Sequence, residues 1–343
     1  MAKTEIPYYS FDKIESFNGV YNMVVASRGN GKTYGRKEKA IKAWIKKGSQ
    51  FFYLRRFKTE LKGVNTFFAD IAHVFPEWDF RVGGGQFLVA PAATRDEKKR
   101  KWEVMGFYGA LSQAQNFKSV SYPRVTAIIF DEFIIEKGNM HYLPNEATAF
   151  TNFFSTVDRN KDKTRVWFLA NSVAIDNPYF LAYDILPDDK GGDQFITAYN
   201  GFVVCHFVDD DAFKGAVYKT RFGQFIAGTE YADYAVEARF KDNTDVQIAD
   251  KTSDAKYRFT IETAKGSFSV WIDINAGPLF YLSSKMPKDQ IIYTLLPERV
   301  SDERTFMTRS DKLSRYIQSA WRTGKMYFDK PPTRNAFLEM MKR

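Results

Sequence analysis

The residues best suited to chemistry lie in segment 26–33, which reads Ala-Ser-Arg-Gly-Asn-Gly-Lys-Thr. A glycine-rich loop of this kind turns successive backbone N–H groups inward, where they can cradle phosphate oxygens. Lys32 would then reach the β- and γ-phosphates of a nucleotide, and the Thr33 hydroxyl would be a ligand of Mg²⁺. The segment therefore predicts a site for ATP and Mg²⁺. The predicted nucleotide-binding residues are Ala26, Ser27, Arg28, Gly29, Asn30, Gly31, Lys32 and Thr33.

The flanks of this loop support the prediction. An apolar run, 20–25, precedes it, and a helix-like stretch, 33–46, follows it, which is the strand–loop–helix context that a phosphate loop requires. Ala26 replaces the first glycine of the usual pattern, which is tolerable if its φ is negative. Arg28 is unusual at its position: contact with a phosphate, contact with a neighbouring subunit and a solvated side chain all remain open.

Two further strand ends carry polar residues. Asp131 and Glu132 follow the apolar run 127–130, as in a Walker B strand. Asp131 would join the Mg²⁺ shell beside Thr33, and Glu132 would act as the base toward the attacking water. Asn171 ends another apolar run and is a candidate γ-phosphate sensor. The alternatives are a chance acidic pair and a turn-forming asparagine.

Strands separated by helical segments, with motifs at the strand ends, predict an α/β fold. We expect an additional-strand, RecA-like P-loop NTPase with a parallel sheet. Domain boundaries are predicted at 1–208 for the ATPase domain, 209–245 for a helical linker or lid, and 246–343 for a small α+β domain with its strands first. Residues 65–75 are predicted to form an amphipathic helix.

Composition excludes several classes of protein. The 343 residues include one cysteine and three histidines, so neither a disulfide framework nor a Cys/His metal site is expected. No apolar run is long enough to span a membrane, and no signal peptide is visible. The net charge of +9 makes an anionic partner plausible. Tyr8, Tyr9 and Phe11 are interpreted as packing residues, with adenine stacking as the alternative.

Four sequence blocks are similar to a known family. The chain resembles the genome-packaging motor ATPases of phi-29-type podoviruses along nearly its whole length. The blocks that carry the resemblance are 52–58 (FYLRRFK), 129–134 (IFDEFI), 177–180 (NPYF) and 219–223 (KTRFG).

The resemblance implies a homopentameric ring that drives double-stranded DNA into a preformed prohead at its portal. It implies a location in the host cytoplasm, with transient attachment to the prohead; a structural RNA partner is left open. It also implies that Arg159 is an arginine finger acting in trans, and that Lys58, Lys118 and Lys137 face DNA. We expect those lysines in loops that leave the sheet near its nucleotide-binding end.

The resemblance further implies that the C-terminal domain is a degenerate RNase H-like or nuclease-like fold. Asp273 matches one acidic ligand position, but no convincing partner carboxylates are found, and two-metal cleavage needs several. Two alternatives remain open: a terminase large subunit with an active nuclease domain, and a P-loop NTPase switch without translocation.

Overall fold

The computed structural model divides the chain into two compact units, 1–242 and 243–343. It describes residues 6–135, 141–172, 177–183, 185, 192–237, 249–264, 266–275, 277–308 and 310–342.

The first unit combines one large sheet with helices. Its strands are β1 (Tyr21–Ala26), β2 (Gln50–Arg55), β3 (Trp78–Gly83), β4 (Gln86–Pro91), β5 (Glu103–Ala110), β6 (Val125–Asp131), β7 (Arg165–Asn171), β8 (Gln194–Ala198) and β9 (Val203–Phe207). Its helices are α1 (Asp12–Ser16), α2 (Lys32–Lys47), α3 (Glu146–Asp158), α4 (Pro178–Tyr183), α5 (Asp211–Tyr218), α6 (Arg221–Ile226) and α7 (Glu230–Ala235).

The strand order of this sheet is β3-β4-β5-β2-β6-β7-β1-β9-β8. The six strands from β5 to β9 in that order run parallel, and antiparallel hairpins close both edges. Strand β7 lies between β1, which leads into the glycine-rich loop, and β6, which ends at Asp131. The predicted additional-strand P-loop NTPase fold is therefore confirmed.

The central parallel strands β2, β6, β7 and β1 are apolar along most of their length because helices and loops cover both faces of the sheet. All six residues of β1 are buried. On one face, Phe130, Phe150 and Phe168 pack together, with ring centroids 4.6 to 5.9 Å apart. On the other face, Phe51 and Phe87 stack with Phe67. These aromatic layers hold the strand ends that carry the polar residues.

Residues 65–75 depart from the prediction. They form two short 3₁₀ turns, Val64–Thr66 and Ala72–Val74, joined by further turns, instead of one α-helix. The apolar residues Phe67, Phe68 and Ile71 are buried as expected. Asparagine, threonine and aromatic residues are weak helix formers, so packing of the three side chains decides the local backbone.

The second unit contains a six-stranded mixed sheet. Its strands are β10 (Lys256–Thr263), β11 (Gly266–Asp273), β12 (Leu279–Ser283), β13 (Ile292–Thr294), β14 (Arg304–Phe306) and β15 (Met326–Phe328), in the order β14-β13-β10-β11-β12-β15. Helices α8 (Lys312–Arg322) and α9 (Pro331–Lys342) follow most of the strands. In this unit the strands β10 to β14 precede both helices, and β15 lies between α8 and α9. Strands β14 and β15 are too short to be recognised from periodicity.

Candidate nucleotide site and subunit edge

The glycine-rich loop has the backbone that its sequence predicts. Gly29 and Gly31 adopt φ values of 77° and 83°, which L-residues with side chains rarely adopt. Ala26 is not among the described residues with positive φ, so alanine fits at the end of β1. Helix α2 begins at Lys32, directly after the loop, and its N-terminus supplies free N–H groups to an anion.

Lys32 is buried and points back across the loop. Its ammonium donates to the carbonyls of Ala26 and Ser27 at 3.2 and 2.9 Å, and to Oδ1 of Asn171 at 3.2 Å. The proposed sensor at the end of β7 therefore lies within hydrogen-bond distance of the lysine expected to hold the β- and γ-phosphates. Burial lowers the pKa of Lys32 to about 8, against the opposing effect of the Asp131 charge.

This pKa predicts how ATP binding responds to pH. Only the charged amine attracts phosphates, so ATP affinity should weaken as pH rises above about 8, where free Lys32 loses its proton. Isothermal titration between pH 7 and 9.5 measures the effect, with up to about tenfold weakening per pH unit. A Lys32→Arg variant stays charged at these pH values, so its affinity, although lower, should not change with pH. An equal pH dependence in that variant would assign the effect to another group.

Thr33 and Asp131 meet beside the lysine. The Thr33 hydroxyl donates to Oδ1 of Asp131 at 3.0 Å, and the Tyr53 hydroxyl donates to Oδ2 at 3.0 Å. Burial and then the Asp131 charge raise the pKa of Tyr53, so the phenol keeps its proton and remains a donor. A threonine hydroxyl and a carboxylate are the hard oxygen ligands that Mg²⁺ prefers, so these two residues fit the predicted metal site.

Glu132 lies at the same end of β6 in an unusual conformation. Its φ is 56°, in the left-handed region, and its side chain is largely exposed. Its carboxylate forms an ion pair with Arg55, which also contacts Glu60 at 3.0 Å and lies 3.9 Å from Asp131. One guanidinium thus contacts both carboxylates at the end of β6, and Glu132 must share or leave this ion pair to accept a proton.

These side chains line one cavity of 640 Å³. Its walls include the loop residues Gly29 to Thr33, with Asp131, Glu132 and Asn171 at the strand ends. Tyr8, Tyr34, Asp70 and His73 also line it. A cavity of this size, lined by a glycine-rich loop and by carboxylates beside it, suits a nucleoside triphosphate with its metal.

The N-terminal aromatics divide into two kinds. Phe11 is buried, and Tyr9 donates its hydroxyl to, or accepts from, Nδ1 of His206 at 2.8 Å, so both are packing residues as predicted. Tyr8 is 62% exposed and lies at the cavity, where its ring leaves no space for a Cβ on Gly31. Its position keeps the alternative of base stacking open for Tyr8.

The loop is also held by the segment predicted as a lid. The Arg28 amide donates to the Ala235 carbonyl at 3.0 Å, and the Ser27 hydroxyl donates to the Val236 carbonyl at 2.8 Å. These contacts hold the end of α7 against Ser27 and Arg28 of the phosphate loop. A movement of this segment would therefore directly displace the loop backbone.

Arg159 is far from the cavity of its own chain. It follows α3 and precedes β7, so it lies at the amino edge of the sheet, whereas Asp131 and Asn171 lie at the carboxyl edge. The seven residues of β7 separate the two edges by about 20 Å. The guanidinium of Arg159 instead donates to the Val120 carbonyl at 3.2 Å. If Arg159 has a catalytic role, it must therefore contact the nucleotide site of another subunit.

The predicted DNA-facing lysines do not share one end of the sheet. Lys58 starts the turn after β2, at the carboxyl edge, and is exposed. Lys118 lies just before Val120, which Arg159 contacts, and so lies toward the amino edge. The expectation that all three lysines leave the sheet near the nucleotide is wrong for Lys118, because the crossover from β5 returns the chain to the start of β6. Lys137 lies outside the described residues.

Sequence reasoning missed the role of two buried, charged residues. Arg56 is 1% exposed, and the side chain of Glu146 is fully buried. Their ion pair joins the end of β2 to the start of α3. The only signal in the sequence is the basic pair Arg55-Arg56 at a strand end, and that pair does not indicate a buried ion pair with Glu146.

Comparison with known proteins agrees with this geometry. Residues 2–343 match the family of podovirus DNA encapsidation proteins (Gp16). The chain belongs to that family. The DNA packaging protein of Bacillus phage phi29 is 33% identical over 338 residues, which cover 98% of this chain and 97% of that protein.

Solved structures from this family show the same fold. The bacteriophage Phi-29 viral genome packaging motor assembly contains a chain that is 33% identical, with a TM-score of 0.63 and 98% of both chains covered. The N-terminal domain of the DNA packaging ATPase from bacteriophage phi29 is 35% identical, with a TM-score of 0.52, and covers 60% of this chain and 98% of that one.

In this family member, Asp273 of the second unit has a local role. Its Oδ2 accepts from the Thr252 hydroxyl at 2.5 Å, and its Oδ1 accepts from the Asn275 amide at 2.9 Å. These bonds fix the turn after β11. Within the described parts of the chain, no three His, Cys, Asp or Glu side chains come close enough to hold a metal ion. None of the described helices is long and apolar enough to cross a membrane.

Proposed function

We propose that this encapsidation-family protein is an ATPase that drives double-stranded DNA into a viral prohead. One observation carries the proposal: Lys32, Thr33, Asp131 and Glu132 line a single cavity in a chain of this family. Lys32 and the loop amides would bind the phosphates, and Thr33 and Asp131 would hold Mg²⁺. When bound, Mg²⁺ neutralises negative charge on the phosphate oxygens.

Within this proposal Glu132 is the base that accepts the proton of the attacking water. Asn171 orients that water or the γ-phosphate, because its amide already lies 3.2 Å from the lysine that would hold the phosphates. Arg159 completes the site of a neighbouring subunit, because it lies at the opposite edge from its own site. This geometry supports a ring of identical subunits, five by the family resemblance, attached to the portal of the prohead.

Lys58 is the best-supported contact to DNA. It is exposed and lies three residues beyond Arg55, whose guanidinium contacts Glu132. A packaging ATPase must accept any sequence, so its contacts should go to phosphates. Such binding is driven by counterion release and weakens steeply with salt.

The two described lysines can therefore be compared directly. Lys58→Ala should lower the slope of log K against log salt by about one unit for each DNA phosphate that the lysine neutralises. Lys118→Ala, at the other edge of the sheet, tests whether DNA follows both edges. Binding of labelled duplex from about 50 to about 300 mM salt measures the slope, with DNA-free ATPase as the control for an intact site. Slopes identical to wild type in both variants would contradict a role for either lysine in DNA binding.

ATP-dependent protection of DNA inside proheads from added nuclease tests the function as a whole. We expect protection with ATP and none with a non-hydrolysable analogue. Cleavage of supercoiled plasmid in Mn²⁺ would instead indicate a terminase with an active nuclease domain. Hydrolysis without packaging and without stimulation by DNA would indicate a switch that does not translocate. The second result would reject the proposed function, and the first would add DNA cleavage to it.

A further inference from the structure

A buried arginine lies directly behind the end of β6. The guanidinium of Arg56 donates through Nε to both oxygens of Glu146, at 2.9 and 2.8 Å. Its Nη1 donates to the Glu132 carbonyl at 3.2 Å, and its Nη2 donates to the Phe133 carbonyl at 2.6 Å. The planar, rigid fork of arginine can make these contacts at the same time, which the ammonium of lysine cannot.

The two carbonyls belong to a strained piece of backbone. Glu132 has a φ of 56°. This left-handed conformation is unfavourable for any residue other than glycine, and it persists only where the surrounding structure holds it. The amide of Phe133 donates to the Leu169 carbonyl at 3.2 Å, on the neighbouring strand β7. Arg56 thus binds the carbonyls of Glu132 and Phe133, while β7 binds the N–H of Phe133.

The acid that faces Arg56 is held just as firmly. Glu146 also accepts from the Leu143 amide at 2.7 Å and from the Tyr179 hydroxyl at 2.7 Å. Both carboxylate oxygens are therefore satisfied, and the guanidinium has a fixed anchor at the start of α3. Through Arg56, Glu146 therefore fixes the position of the Glu132 backbone.

We propose that Arg56 is a positioning residue for Glu132, holding its left-handed backbone so that the carboxylate enters the nucleotide cavity. The proposal rests on the proposed function, in which Glu132 is the base. Arg56 touches neither the loop nor Asp131 among the contacts described, so it acts on turnover and not on nucleotide binding.

A purely structural role is the competing explanation. A buried ion pair contributes little net stability compared with apolar packing, but removal of one partner is costly. If stability were the whole role, Arg56 variants would lower kcat and ATP affinity together as the site loosens. If Arg56 positions Glu132, kcat falls while the ATP dissociation constant is unchanged.

The test is Arg56→Lys, which keeps the charge opposite Glu146 but removes the fork. Misplacement of a catalytic group by about 1 Å costs up to about a hundredfold, so we expect kcat to fall roughly ten- to a hundredfold. The ATP dissociation constant should stay within about twofold of wild type, because Lys32, Thr33 and Asp131 are untouched. Steady-state ATPase and ATP titration of the full chain provide both values.

A double-variant comparison identifies the residue through which Arg56 acts. When Glu132→Gln is already present, adding Arg56→Lys should change the residual single-turnover rate less than about twofold, because the base is already gone. If the two substitutions acted independently, Arg56→Lys would instead lower the rate by the same factor in the Glu132→Gln background as in the wild type. Tyr179→Phe is the matched control: it removes one bond to Glu146 and leaves both carbonyl contacts, so its kcat should stay near wild type. If Arg56→Lys does not fold, Glu146→Gln weakens the same anchor and should lower kcat in the same selective way.

The outcomes separate this inference from the proposed function. A selective loss of kcat that disappears in the Glu132→Gln background supports the positioning role. Normal kcat in folded Arg56→Lys, or effects that multiply, overturns the positioning role while leaving the ATPase proposal standing. Undiminished turnover in Glu132→Gln alone would overturn Glu132 as base, and the positioning role with it.

Discussion

Glu132→Gln should bind ATP with near-normal affinity and hydrolyse it about 10² to 10⁴ times more slowly than wild type. The amide is almost the same size as the carboxylate but cannot accept the proton of the attacking water. Lys32, Thr33 and Asp131, which would hold the phosphates and the metal, keep their contacts. The expected loss therefore falls on kcat and leaves binding intact.

The control for this variant is Glu60→Gln. Glu60 contacts the same guanidinium of Arg55, at 3.0 Å, but does not line the cavity. Removing its charge changes the ion-pair network without removing the proposed base, so it should retain most of the turnover. Phosphate release and ATP titration measure both variants. Near-normal turnover in Glu132→Gln would mean that another group takes the proton.

Arg159→Ala should lose activity by roughly three to five decades, the contribution of a trans arginine finger in comparable NTPases. The loss should occur although the cavity of the same chain is complete. Arg159 is exposed at the amino edge of the sheet, at the end of α3, where only another subunit can use it. Arg165→Ala is a suitable control, since Arg165 lies on the same edge and its guanidinium donates to the carbonyl and carboxylate of Asp162, within its own chain.

Mixing the two inactive variants tests the trans assignment. A site built from an Arg159→Ala subunit keeps its Glu132, and a Glu132→Gln neighbour supplies the intact arginine. In an equal, random mixture about one interface in four of a cyclic ring has this pairing, so part of the activity should return. Mixtures that hydrolyse ATP no faster than either variant alone would contradict action in trans.

Much of this site could be predicted from short runs of sequence. Gly29 and Gly31 are required by the local backbone, and the apolar runs before Ala26, Asp131 and Asn171 are required because parallel strands are buried on both faces. These are local constraints, so spacing along the chain was sufficient to predict the loop, the Walker B strand and the fold class. The parallel order then brought the three strand ends to one cavity, as predicted.

Other features depend on contacts between residues distant in sequence. Strand β5 pairs with β2 but has the mixed sequence EVMGFYGA, so its pattern did not predict a strand. The helix predicted for residues 65–75 became short turns because three aromatic and aliphatic side chains had to reach the sheet. The course of the crossover placed Lys118 toward the opposite edge from Lys58.

The order of residues along the chain was enough to predict a phosphate loop, an acidic strand end and a polar sensor on a parallel sheet. The folded chain was needed to show that Arg55 contacts Glu132, that Arg56 is buried against Glu146, and that Arg159 cannot reach its own site. Burial explains this difference. An arginine has the same letter whether it is solvated or enclosed, and its role is fixed by which carboxylates and carbonyls the fold brings to its five N–H groups.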